Sequence, residues 1–172
     1  MAILHVLTFP NPVLRETCVE AVPGTDEITK LADDMLETMY IAPGIGLAAP
    51  QVGVCVKMIV VDIMGSLSDE SDPHILLNPE ILQADEEITA FEEGCLSLPE
   101  LKVHIDRPRM VKVRFQDLGG AHREMLAEDL LAIAIQHEMD HLEGRLILDY
   151  ATSIRKDQYR RKVKKLLAER SI

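Results

Sequence analysis

No stretch of this chain is apolar for anything near the roughly 20 residues that a membrane-spanning helix needs. Basic residues are in short supply: 18 Lys and Arg stand against 29 Asp and Glu, a net charge of −11. A surface of that sign repels polyphosphate, which excludes a general nucleic-acid-coating role. Cysteines number three, and an odd count excludes a fully paired disulfide framework and points to a reducing cytoplasm. The opening Met1-Ala2-Ile3-Leu4-His5 has no basic segment leading into a long apolar stretch, so no signal peptide is expected. Internal repeats and low-complexity tracts are absent as well.

The 172 residues are 47% hydrophobic and 27% charged, the balance of an ordinary globular protein with a real core. One domain over residues 1–172 is expected. Residues 26–40 place Ile28, Leu31, Met35, Leu36 and Met39 on one side of a helix. Residues 128–142 form a second helix, opening on Glu128-Asp129 and stopping at Gly144. Its interior, residues 130–135, is apolar on every side, so the helix is expected to run buried through the domain. A third helix is expected at about 153–169, the basic C-terminal helix of the chain.

Residues 57–63 read as a buried strand, residues 65–73 as a polar loop. The run at 75–82 is broken by Asn78-Pro79 and is expected to be an edge strand or strand-turn-strand at most. Residues 103–105, 111–115 and 123–126 suit short strands, with turns at Arg107-Pro108 and Gly119-Gly120. Helices at the ends with strands between them indicate an α+β fold, its antiparallel or mixed strands arranged around the buried helix.

That helix carries His137-Glu138-Met139-Asp140-His141. Positions i and i+4 share a helix face, so both imidazoles can reach one cation. Glu138 sits about 100° away around the axis, near enough to handle a proton of the metal's water without ligating. A catalytic site needs a third protein ligand and an open position. Cys18 and Cys55 stand in apolar surroundings and read as small buried hydrophobes. Cys95 lies in a Gly94-Cys95-Leu96-Ser97-Leu98-Pro99 loop and reads equally as a ligand or as packing. A thiolate with two imidazoles would by itself point to zinc. Gly44-Ile45-Gly46 invites close backbone approach by an extended peptide, or is merely a tight turn.

Taken together, residues 44–51, Glu93-Gly94-Cys95-Leu96-Ser97 and residues 136–141 resemble the three motifs of the peptide deformylases. These enzymes remove the N-formyl group from newly made bacterial proteins. The resemblance spans nearly the whole chain, and the C-terminal helix is similar to that of the class typical of Gram-negative bacteria.

The resemblance implies that Cys95, His137 and His141 hold one divalent metal, Fe(II) physiologically, with nickel, cobalt or zinc able to substitute. It implies Glu138 as general base and then acid, and the Gln51 amide with the Leu96 N–H as donors to the formyl oxygen. Ile45 and Gly46 would meet the extended peptide, while Phe91, Leu130, Ile133 and Ala134 would wall the methionine side chain. Ala134 stands where relatives often have Cys, and Pro50 where many have Thr. The implied substrate is the N-formyl-methionyl nascent peptide, and the implied setting is a cytoplasmic monomer with no membrane partner.

Two rival readings are a small zinc endopeptidase and a non-catalytic, metal-stabilised binding module. Residues 155–170 hold eight basic and two acidic residues, a net +6, while the rest of the chain carries −17. In related bacterial enzymes this helix docks on the ribosome, and the same partner is expected here.

Overall fold

The computed structural model describes residues 2–65 and 70–170. Three helices and seven strands follow in the order α1 (Asp26–Ile41), β1 (Gly46–Ala48), β2 (Met58–Val61), β3 (His74–Ala84), β4 (Ile88–Cys95), β5 (Leu98–Pro108), β6 (Met110–Gln116), β7 (His122–Glu128), α2 (Asp129–Leu142) and α3 (Ser153–Arg170). The strands form a five-stranded sheet, β1-β2-β3-β6-β7, and a separate β4-β5 pair, antiparallel throughout. This is the expected α+β arrangement. The expected polar loop at 65–73 falls partly on residues 66–69, outside the described residues.

Thr25 caps α1, its Oγ1 accepting from the Ile28 N–H at 3.3 Å, with Asp26 and Glu27 in the first turn. The buried face differs from the periodicity reading: Asp34 and Thr38 are buried with Met35 and Met39, while Leu31 and Leu36 are only partly covered. The reason is the N-terminal segment, whose Ala2 and Leu4 N–H groups donate to Asp34 Oδ1 and Thr38 Oγ1. Those two polar side chains are satisfied where they are buried.

Three strand assignments need correction. Arg107-Pro108 is no turn but the end of β5, paired with Thr89 and Ile88 of β4. The run at 75–82 belongs to β3, an interior strand between β2 and β6, not an edge. Its register shifts between Leu77 and Glu80, so a bulge absorbs the N–H that Pro79 lacks. Asn78 takes a positive φ of 50° there, and its side chain bonds Ala21 and Gln116. Cys95, in turn, is no loop residue but the last of β4, and Pro99 is tolerated as the second residue of β5.

Helix α2 packs against β1, β2 and β7 and is buried from Ala132 to Glu138, as its all-round apolarity implied. It starts one residue late, because Glu128 still belongs to β7. Gly144 ends it with a φ of +68°, and a Cβ there would lie 2.4 Å from the Arg15 carbonyl oxygen. Tyr159 anchors α3, buried against Phe9 and donating to the Pro99 carbonyl at 3.1 Å. Among the described residues, no helix is long and apolar enough to cross a membrane.

Candidate metal centre

Helix α2 presents His137 and His141 one turn apart, and the end of β4 brings Cys95 to the same point. The three ligand atoms lie within 4.8 Å of one another, and Cys95 Sγ is 3.3 Å from His141 Nε2. Tetrahedral coordination by sulfur and nitrogen would set such atoms about 3.6 Å apart. The residues present therefore fit a single divalent cation.

The ring of His137 is fixed from behind. Its Nδ1 bonds Glu93 Oε2 at 2.8 Å, which leaves Nε2 for the Cys95 side. Glu93 is gripped in turn by Arg107, through Nε and Nη2 at 2.5 and 3.1 Å. Arg107 reaches on to Asp140 at 3.0 Å, and the Tyr150 hydroxyl donates to that same carboxylate at 2.7 Å. Burial opposes ionisation of Glu93, but the bonds from His137 and Arg107 outweigh it and hold the carboxyl below its ordinary range. A buried carboxylate so placed settles the imidazole tautomer and makes the ring a stronger ligand.

Beside the cluster, Gln51 is locked in one orientation. Its Oε1 accepts from the Ala48 N–H at 2.8 Å, so Nε2 must face Ser97 Oγ, at 3.1 Å, and Cys95 Sγ, at 3.5 Å. That amide is a preorganised donor next to the metal position. Glu138 lies on the other side, 5% exposed, and its Oε2 has no partner among the described residues. Burial pushes its carboxyl up to about 7, a value suited to exchanging protons near neutrality.

Glycine at position 46 has a specific cause. A Cβ there would sit 2.5 Å from Glu138 Oε1, so only glycine lets the carboxylate come up against β1.

A cavity of about 440 Å³ opens onto this group. It brings together Ile45, Gly46, Gln51, Phe91, Cys95, Leu96, Leu130, Ile133, Ala134, His137 and Glu138, while His141 lies behind it. Ile133 and Ala134 are buried, Leu130 is half-buried and Phe91 is 41% exposed at the rim. Strand β1 pairs with β2 on one side only, leaving its other edge toward the cavity. A turn and bend at residues 42–45 lead out of α1, and the short edge strand begins only at Gly46.

Sequence reasoning gave no role to Glu93, Ser97 or Arg107. Glu93 and Ser97 lie at the two ends of the Glu93-Gly94-Cys95-Leu96-Ser97 motif. Nothing in the residue pattern links Arg107 to His137, since only the β4-β5 pairing brings it there.

The family model for polypeptide deformylase matches residues 3–157. A peptide deformylase of Bartonella tribocorum is 43% identical over 172 residues, covering 99% of this chain and 97% of that one. One from Hyphomonas neptunium is 47% identical over 166 residues, covering 96% and 94%. Among solved structures, a peptide deformylase from Legionella pneumophila superposes with a TM-score of 0.89 at 36% identity, covering 99% of this chain and 98% of that one. One from Ehrlichia chaffeensis, in complex with actinonin, gives 0.89 at 35% identity, covering 96% and 98%. The endopeptidase and binding-module readings find no support among these relatives.

Proposed function

The chain belongs to the polypeptide deformylase family, and from that premise we propose how its own residues divide the work of the reaction. The protein removes the N-formyl group from the formyl-methionine of newly made chains, releasing formate and a free amino terminus.

Cys95, His137 and His141 hold one divalent cation, which when bound polarises a carbonyl and lowers the pKa of adjacent water. We assign Fe(II), the ion that the resemblance implies; the ligand set by itself suits zinc, and nickel or cobalt can substitute. The Gln51 Nε2–H, held by Ala48, donates to the formyl oxygen as negative charge develops there, with the Leu96 N–H beside it. Glu138 takes the proton of the attacking water and returns it to the leaving amine nitrogen. Its unpartnered, buried Oε2 is free to do both. Gly46, at the free edge of β1, pairs with the extended peptide, with Ile45 just ahead of it lining the same cavity. Phe91, Leu130, Ile133 and Ala134 receive the methionine side chain, which an apolar wall suits.

On this reading the protein acts as a monomer in the cytoplasm. The ribosome is its docking partner: Arg161, Lys164 and Lys165 on α3 are exposed and have no ion-pair partner among the described residues.

The observation that carries the reading is the meeting of Cys95, two histidines and an unpaired buried glutamate in one cavity. Its test is formate release from a formyl-methionyl tripeptide under anaerobic conditions, with metal analysis and a casein digest alongside. Formate in step with metal content, and intact casein, are expected. Fully metal-loaded protein that yields no formate overturns the reading, and cleaved casein would restore the endopeptidase.

A further inference from the structure

Away from the metal centre, the N-terminal segment runs parallel to the segment that enters β2, with Val19 bridging Val56. The Val19 N–H donates to the Cys55 carbonyl at 3.1 Å, and the Lys57 N–H to the Val19 carbonyl at 2.7 Å. Cys18 and Cys55 each precede a bridge residue by one position, so they stand opposite each other. Neighbouring strands about 4.8 Å apart fall within the roughly 4.4–6.8 Å that a disulfide accepts between Cα atoms. Matched positions also point their side chains the same way, and each thiol here perturbs the ionisation of the other.

The two sulfurs differ in access. Cys18 is buried among Ile135 and Leu142 of α2, whereas Cys55 is half-exposed and donates to Glu16 Oε2 at 3.1 Å. Glu16 is itself exposed, so Cys55 has both a path to solvent and a base. Both residues are free thiols in this structure.

We propose that Cys18 and Cys55 are a redox-convertible pair, which peroxide closes into a disulfide clamping the N-terminal segment to the entry of β2.

Cys55 passes its proton to Glu16, and its sulfur attacks one peroxide oxygen. The O–O bond breaks, and the departing hydroxide recovers the proton from Glu16 as water, leaving Cys55 as a sulfenic acid. The Cys18 sulfur then attacks that sulfur. The S–O bond breaks, the S–S bond forms, and the second water carries off the Cys18 proton. Two thiols have lost two electrons and one hydrogen peroxide has become two waters. Burial above all, with the neighbouring thiol and carboxylates, pushes Cys18 up to about 12; burial and Glu16 push Cys55 up to about 11. Little thiolate exists at neutral pH, so the pair stays reduced until peroxide is abundant.

The closed loop would span roughly 40 residues, including α1, β1 and the turn that carries Gln51. The Cys18 N–H also holds the Leu142 carbonyl at 2.9 Å, so the clamp lies against the end of the metal helix.

The test uses the full chain loaded with nickel and incubated with hydrogen peroxide for hours. It is then alkylated under denaturing conditions, digested and mapped by mass spectrometry. A Cys18–Cys55 linked peptide that dithiothreitol releases is expected, with Tm raised by about 5–10 °C before reduction. Cys18→Ser and Cys55→Ser should each abolish both effects. Free alkylation of both cysteines, or a Cys55 sulfinic acid with no link, overturns the pair; a link that leaves Tm unchanged overturns the clamp.

Discussion

Glu93 and His137, 44 residues apart in the chain, meet at 2.8 Å between carboxylate Oε2 and ring Nδ1. The contact decides which ring nitrogen faces Cys95. It also places a negative charge behind the ligand, where Arg107 keeps it ionised. Outer partners of this kind typically govern metal affinity by 10–100-fold. Glu93→Ala should therefore weaken nickel retention against a competing chelator by about that factor, while Glu93→Gln, which keeps an acceptor, should lose less. Equal retention in all three proteins would show that the contact does not tune the site.

The ligands and the proton carrier should separate cleanly. Cys95→Ala, His137→Ala and His141→Ala should each lose stoichiometric metal together with activity. Glu138→Ala should keep its metal and lose deformylation, because it removes proton transfer and no ligand atom. Elemental analysis beside the formate assay checks this. A Glu138→Ala protein as metal-poor as His137→Ala would place the carboxylate in the coordination set instead.

Gln51→Leu deletes the side-chain amide that Ala48 holds toward Cys95, the donor assigned to the formyl oxygen in the proposed mechanism. Turnover should fall by roughly 10²–10³-fold, with KM moved much less. Steady-state kinetics on a formyl-methionyl peptide reads both, and unchanged turnover would make Gln51 a structural residue only.

Acid stability should depend on Asp62, at the exit of β2. Burial alone would raise its pKa. Hydrogen bonds from Tyr40, Ser71 and the Gly65 and Met64 N–H groups outweigh that and hold it at about 2, below its ordinary 3.8. A carboxylate with a lowered folded-state pKa adds stability that is full above pH about 4 and is lost as pH falls toward 2. Asp62→Asn should cost about 2 kcal/mol at pH 7, with the gap to the parent closing over that acid window. Urea titrations at pH 7 and at pH 2.5 check it, and a constant gap would contradict the assignment.

Helix α3 offers a test that leaves the core alone. Removing it would strip Tyr159 from the packing, so charge is the better variable. Arg161→Gln, Lys164→Gln and Lys165→Gln together should lower ribosome co-sedimentation at low salt and flatten its salt dependence. Turnover of short formyl-peptides should stay unchanged. Equal sedimentation of both proteins would leave α3 as a brace for Pro99 and Phe9.

Much of this molecule was readable along the chain because the signals are local. The His137/His141 spacing acts through helix geometry alone, and the apolar stretch of α2 announces its burial without reference to any partner. The same holds for the existence of α1, read from its apolar spacing, and for the basic run of α3. Cys95 was undecided between ligand and packing for an equally physical reason. A cysteine at a strand end has no periodic signature, and its distance to His141 is set by how β4 and α2 pack. The interior place of β3 was hidden because Pro79 looks like a strand breaker until the bulge and its neighbours are seen.

What the sequence determined by itself is the three helices, part of the strand set and the chemistry of the groups they carry: two imidazoles on one helix face, a carboxylate beside them, and a thiol next to a glycine. What only the tertiary structure decided is which groups meet. The Glu93–Arg107 grip on His137, the locking of Gln51 by Ala48, the need for glycine at 46 and the pairing of Cys18 with Cys55 all depend on non-local contacts. Those contacts arise when sheets and helices bury their apolar faces together, and short-range propensity carries no record of them.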